Sequence, residues 1–233
     1  LNDKVQITTV FNYFRAPYQF NPSSLDKTTS DTTPTSARSF VQRQGASKKV
    51  TQGQGGITLS YRDDRQSADV TVFGIGRTLF NPIPGRIIDL KRKGGGVRGV
   101  WSRMVRMGQS TFRITGGTDI EFQSDDRQEF SHGGIPNSEV GKLNNERVFS
   151  VLTVGAQELN QHEQVLGIGP FFEVEWSPRT DMILTAGGRY DRYRFKVDDK
   201  FLSDGTDDSG SRTMNQFSPM VGVTYKPRPY VAL

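Results

Sequence analysis

From Gln164 to Leu233 the chain alternates apolar and polar residues in long runs, and the connections between those runs are alternately short and long. GIGPFFEVEW (167–176) meets DMILTAGGRYDRYRFKV (181–197) across the four residues SPRT. A polar stretch, DDKFLSDGTDDSGS, leads to QFSPMVGVTYK (216–226), then PRP and a new apolar start, YVAL. A period of two gives each strand one apolar and one polar face. Runs of this length exceed the usual strand of about five or six residues. They suit a tilted strand that crosses a bilayer, which needs about nine to eleven residues, with extensions beyond it.

Composition admits this. Mean hydropathy is −0.57 and hydrophobic residues make up 33%, and no apolar run approaches the roughly 18 to 20 residues a membrane helix needs. A barrel escapes that exclusion because only every second residue meets lipid. The absence of cysteine is compatible with a bacterial envelope but says little by itself. The net charge of +5 raises a nucleic-acid partner, and the distribution argues against one. Acidic and basic residues are intermixed, as in RDDR (62–65) and SDDRQEF (124–130), and no basic block exceeds LKRK (90–93). LNDKVQITTV at the start has neither the basic region nor the apolar stretch of a signal peptide. An exported barrel needs one, so a processed chain or an internal fragment is expected.

Periodicity predicts about eight strands and the start of another. KVQITTVFNYFR (4–15) places Val5, Ile7, Thr9, Phe11 and Tyr13 on one face, and GGITLSYR (55–62) does the same with Ile57, Leu59 and Tyr61. ADVTVFGIGRTLF (68–80) follows, then RIIDLKRK and VRGVWSRMV (97–105) around Gly94, Gly95 and Gly96, a triplet that predicts a bulge or kink. STFRITGGTDIEFQS (110–124) sets Phe112, Ile114, Ile120 and Phe122 against Arg113, Thr115, Asp119, Glu121 and Gln123. VFSVLTV (148–154) is a candidate short strand inside a polar segment. In the last three runs Leu166, Ile168, Phe172, Val174 and Trp176 oppose Glu173 and Glu175. Met182, Leu184, Ala186 and Tyr190 oppose Thr185, Arg189 and Asp191, and Phe217, Val221, Val223 and Tyr225 complete the set.

A soluble β-sandwich and a membrane barrel both show such alternation, so connection lengths decide. Tight turns near 63–67, 106–109, 177–180 and 227–229 can all lie on one side. The segments 16–53, 81–85, 125–160 and 198–212 then lie on the other. Short periplasmic turns and longer extracellular loops are the habit of outer-membrane barrels. Trp176, Tyr190, Tyr193, Phe195, Tyr225 and Tyr230 lie near strand ends, where interfacial aromatic girdles occur.

Signs of catalysis are weak. His132 and His162 stand in or beside a polar segment without a ligand spacing, and solvated loop histidines are expected. GIGRT (74–78) and GGGVRG (94–99) lack the lysine and hydroxyl of a phosphate loop. DGTDDSG (204–210) misses the EF-hand spacing. No enzyme activity, metal or cofactor is therefore expected. The charged residues opposite the apolar face, Arg113, Asp119, Glu121, Glu173, Glu175, Arg189 and Asp191, would be costly in a sandwich core unless paired. In a barrel they would line a polar lumen. Ligand-binding residues are not identifiable.

LTAGGRYDRYRF (184–195) followed by FSPMVGVTYKPRPYVAL (217–233) resembles the barrel domain of TonB-dependent outer-membrane receptors. FNPIPGRIIDLKRKGGGVRGVW (80–101), FQSDDRQEF (122–130) and the run from Leu166 to Trp176 extend the resemblance over about residues 55–233. It implies an all-β chain, an antiparallel transmembrane β-barrel segment of about eight or nine strands from a barrel of about 22. Residues 1–233 would be a partial barrel domain without the N-terminal plug, the energy-coupling box or the C-terminal strands. The implied protein sits in the bacterial outer membrane, contacts its lipid, and binds an extracellular small-molecule ligand. A ferric siderophore is the leading class, imported with energy from the TonB complex through the plug. A passive porin and a soluble all-β binding domain are the alternatives.

Overall fold

The computed structural model describes residues 3–226. The expected tight turn at 227–229, Tyr230 and the strand start YVAL lie outside them. Eight strands form one antiparallel sheet whose spatial order equals the chain order. They are β1 (Val5–Phe20), β2 (Ser47–Arg62), β3 (Gln66–Ile83) and β4 (Arg86–Met107), then β5 (Ser110–His132), β6 (Val154–Arg179), β7 (Met182–Asp199) and β8 (Gly210–Tyr225). Two short helices, α1 (Lys27–Thr32) and α2 (Ser39–Arg43), lie between β1 and β2. Among the described residues β1 and β8 each pair on one side only, so the sheet is open.

Register fixes what shares a face. In the β5–β6 ladder Phe112 stands opposite Trp176, Ile114 opposite Val174 and Ile120 opposite Ile168. One face is therefore apolar across all eight strands. Ile7, Phe11, Ile57, Leu59, Val70, Val72, Val97 and Trp101 continue it, as do Phe172, Tyr190, Phe217, Val221 and Val223, and all are exposed. A contiguous apolar surface of this extent is far beyond the few hundred Å² a soluble monomer exposes. At its short-turn end Phe112 and Trp176 stack with centroids 6.0 Å apart. The buried apolar residues Val41, Ala46, Val50, Ile87 and Val148 lie instead at the long-loop end, so the core caps the sheet rather than running through it.

Several sequence expectations need correction. The strands run further into the polar tracts than periodicity suggested, leaving loops of 21–46 and 133–153. VFSVLTV forms no strand of its own, since Glu146–Ser150 is a 3-10 turn and Val154 begins β6. The glycine triplet makes no bulge: β4 is continuous and its register with β3 and β5 is unbroken through Gly94–Gly96. These glycines make room instead. A Cβ on Gly96 would lie 2.8 Å from Cζ of Phe73, whose ring crosses from the facing position on β3. Register shifts occur elsewhere, between Ala16 and Gln19, from Glu129 to His132, and between Trp176 and Arg179. At Pro170 the β6–β7 pairing lapses over 169–170 and resumes in the same register, as expected for a residue without an N–H.

His132 and His162 are not loop residues. His132 ends β5 and is 8% exposed. Its Nε2 meets the carbonyl oxygen of Gln44, and its Nδ1 accepts from the N–H of Gly134 at 3.2 Å. Ile135 N–H also donates to Arg43 O at 2.9 Å, so the two long loops are tied together. They enclose a cavity of about 240 Å³ lined by Phe20, Pro22, Val41, Ile135, Leu143 and Val148. His162 lies within β6, with Nδ1 2.8 Å from Oδ1 of Asp126.

Candidate functional site: the charged face of the sheet

The face opposite the apolar band carries the chain's ionic chemistry. All seven charged residues singled out from the sequence share it: Arg113, Asp119 and Glu121 on β5, Glu173 and Glu175 on β6, Arg189 and Asp191 on β7. The ladder sums match odd positions to odd positions across these three strands, which is why they coincide. Two groupings form. Arg113 pairs with Glu175, directly opposite, at 3.3 Å. Arg189 holds Asp119 at 2.7 Å through Nη1 and Asp191 at 2.7 Å through Nε. Among the described residues, Glu121 and Glu173 enter no ion pair.

The bridge from Arg189 to Asp119 skips a strand. Asp119 on β5 faces Gly169 on β6, and Arg189 lies on β7. A Cβ on Gly169 would sit 2.2 Å from Nη2 of Arg189, so the missing side chain is the passage for the guanidinium. Arg98 of β4 approaches Asp119 from the other side at 3.7 Å. Both guanidiniums cover the ring of Phe171, at 5.9 and 6.0 Å from its centroid, within cation–π range. Arg98, Thr115, Phe171, Glu173, Arg189 and Ser218 line a hollow of about 390 Å³.

Phe171 in turn lies over Gly117, where a Cβ would be 2.6 Å from its Cζ. Tyr193 repeats the arrangement over Gly167 at 2.5 Å. Tyr193 and Phe195 therefore belong to the charged face and not to an interfacial girdle. Together with Phe73, Ile75, Glu121 and Gln123 they border a second hollow of about 470 Å³. Trp176, Tyr190 and Tyr225 do lie on the apolar face.

Towards the long loops the face carries carboxylates that periodicity alone had left in a loop. Asp125 is 1% exposed and takes a two-pronged contact from Arg92, Nε to Oδ1 at 2.8 Å and Nη2 to Oδ2 at 2.6 Å. Glu129, 2% exposed, is held by Arg86 at 2.7 Å and by Arg127. Arg127 also reaches Glu163 at 3.5 Å. The signal was present: Asp125, Arg127 and Glu129 keep the odd phase of Arg113 to Gln123. Arg77 is an exception, standing opposite Arg92 with a buried Nε that lacks a hydrogen-bond partner. Among the described residues no cluster of side chains is arranged to hold a metal ion. The arrangement can bind and order polar groups along a wall.

The family model for a TonB dependent receptor-like β-barrel matches residues 2–233. No curated protein matches the chain. Among solved structures, the ferric citrate transporter FecA in its unliganded form superposes with a TM-score of 0.74 at 11% identity, over 98% of this chain and 32% of that one. The alcaligin outer-membrane receptor FauA from Bordetella pertussis gives 0.63 at 12% identity, over 98% and 31%. The siderophore receptor PiuA from Acinetobacter baumannii gives 0.59 at 12%, over 78% and 31%. The chain thus spans about a third of the length of these structures, and identities this low establish the fold alone.

Proposed function

The chain belongs to the family of TonB dependent receptor-like β-barrels, and from that premise we propose that residues 1–233 are part of the wall of a bacterial outer-membrane uptake receptor. The observation that carries this is the division of one continuous sheet into two faces. An exposed apolar band spans all eight strands on one side, and paired arginines and carboxylates cover the other. Apolar outside and polar inside is the arrangement a bilayer-spanning barrel needs. In this proposal Arg113, Asp119, Glu121, Glu173, Glu175, Arg189 and Asp191 line the lumen. The loops 21–46, 133–153 and 200–209 face the exterior, and the tight turns face the periplasm. The rest of the barrel, about 22 strands in all, and a plug that couples to TonB come from other parts of the full protein.

The ligand class we infer is a ferric siderophore or similar iron chelate. The structures superposed above support it: a ferric citrate transporter, a siderophore receptor and an alcaligin receptor. The test is uptake by the full-length protein. In iron-starved cells, loss of the gene should abolish accumulation of at least one radio-iron chelate, and loss of TonB should abolish it equally. Uptake that persists without TonB, together with ligand-independent conductance in planar bilayers, would identify a passive porin instead.

A further inference from the structure

We infer that His132 is an acid-operated latch between the two long loops, 21–46 and 133–153, fastened while its ring is neutral and released when the ring takes up a proton. The ring lies at the end of β5, 8% exposed, with a partner on each nitrogen. Nε2 faces the carbonyl oxygen of Gln44, which can only accept, so Nε2 carries the ring proton. Nδ1 faces the N–H of Gly134 at 3.2 Å, which can only donate, so Nδ1 offers a lone pair. The two contacts together select one tautomer of the neutral ring. A second proton can go only to Nδ1, and there it sets two donors against each other.

Both partners sit where the loops are joined. Beside Gln44, Arg43 O accepts from the N–H of Ile135 at 2.9 Å. The Gln44 side chain accepts from the N–H of Gly85 at 3.2 Å, which brings in the turn between β3 and β4. Next to His132, the N–H of Gly133 donates to Thr153 O and the N–H of Thr153 to Gly134 O, each at 2.9 Å, closing the base of the 133–153 loop. A Cβ on Gly134 would lie 2.7 Å from Arg43 O. The backbone that loses its bond to Nδ1 is therefore the backbone that packs on α2. Its displacement parts the walls of the apolar cavity, where Val41 of one loop faces Ile135 and Val148 of the other.

The surroundings do not offset the added charge. Arg38 and Arg43 stand at the two ends of α2, Lys48 and Lys49 at the start of β2, and Arg86 at the start of β4. Glu129 on β5 is held by Arg86 and Arg127, and Glu139 of the 133–153 loop by Arg147. Glu158 on β6, with Lys142 and Glu146 in that loop, completes the charged groups at this end of the packed elements. Among the described residues the one histidine ion pair is that of His162. A buried imidazolium without an anion is costly, and turning the ring out to water relieves it by releasing both loops. In the uptake reading this knot stands at the exterior mouth and meets the pH of the medium. The latch itself needs only the local geometry.

The test places spin labels at Ser39→Cys and Lys142→Cys, both exposed positions, in an otherwise cysteine-free full-length receptor in lipid vesicles. Pulsed electron spin resonance reads their separation. The distance should be narrow at about pH 7.5, broad and longer at about pH 4.5, and narrow again on neutralisation. His132→Gln keeps a donor for Gln44 O and does not titrate, so it should hold the narrow distance at both pH values. His132→Lys, charged throughout, should show the broad one at both. An unchanged distance in the wild type overturns the inference, and so does acid opening that persists in His132→Gln. Glu139→Gln should still open in acid. Loss of the response in that variant assigns it to the Glu139–Arg147 pair and overturns the latch, an arm that decides the matter if His132→Gln does not fold.

Discussion

Arg189 donates through Nη1 to Oδ2 of Asp119 at 2.7 Å, across the bare backbone of Gly169 on the strand between them. Three strands are thereby fastened on the charged face by one side chain, in addition to their ladder hydrogen bonds. The contact exists only because position 169 has no side chain.

Gly169→Ala should therefore break the bridge while leaving the sheet intact, because the atoms its Cβ meets are the ends of the Arg189 and Asp191 side chains. Gly117→Ala should be worse, since its Cβ would lie 2.5 Å from the backbone oxygen of Gly99 as well as against the Phe171 ring. A loss of about 1–3 kcal/mol is expected for such overpacking. Urea unfolding of the detergent-solubilised full receptor should rank the two variants in that order.

Asp125 and Arg92 should behave as a buried pair. Removing one partner, as in Asp125→Ala, should cost about 3 kcal/mol because the other charge is left uncompensated. Replacing both, as Arg92→Met with Asp125→Leu, should cost much less than the sum of the single changes. A double-mutant cycle gives the coupling, and additive losses would show that the pair does not interact.

The β2–β3 turn should be acid-sensitive through Asp63. Its Oδ1 accepts from the N–H groups of Arg65 and Gln66, each at 2.8 Å, and its Oδ2 accepts from the Tyr61 hydroxyl at 2.8 Å. The Arg65 N–H above all, then the Tyr61 hydroxyl and the Gln66 N–H, hold the carboxyl well below the usual carboxylate range. A depressed folded value stabilises above the unfolded value of about 4 and is lost as pH falls through the folded one. The wild type should lose this contribution below about pH 4. Asp63→Asn should be less stable than the wild type at pH 7, and that difference should shrink in acid. Unfolding midpoints between pH 7 and pH 2 check both statements.

Adjacent residues on β6 should respond oppositely to charge. Val174 lies on the apolar face and Glu173 on the charged one. Val174→Arg should destabilise the membrane-inserted protein by about 2–4 kcal/mol if it sits near the bilayer midplane. Glu173→Gln should have little effect, because Glu173 forms no ion pair among the described residues. Refolding titrations into lipid vesicles would measure both, and equal tolerance would contradict the membrane reading of the apolar face.

The sequence by itself determined the strand class, the division into two faces and the family. Period-two alternation is local, so Arg113, Glu175 and Arg189 could be assigned to one side without knowing their neighbours. The tertiary structure decided everything that depends on which strand lies beside which. Register made Asp119 a partner of Arg189 two strands away and left Glu121 without an ion pair among the described residues. It turned the glycines at 96, 117 and 167 into seats for Phe73, Phe171 and Tyr193, where the sequence suggested a bulge at the first. It also extended β5 into the polar run that carries Asp125 and Glu129, because cross-strand arginines compensate charges that look like loop residues when read along the chain. Alternation records the direction of a side chain, whereas pairing energy depends on the facing strand, and only the folded sheet specifies that strand.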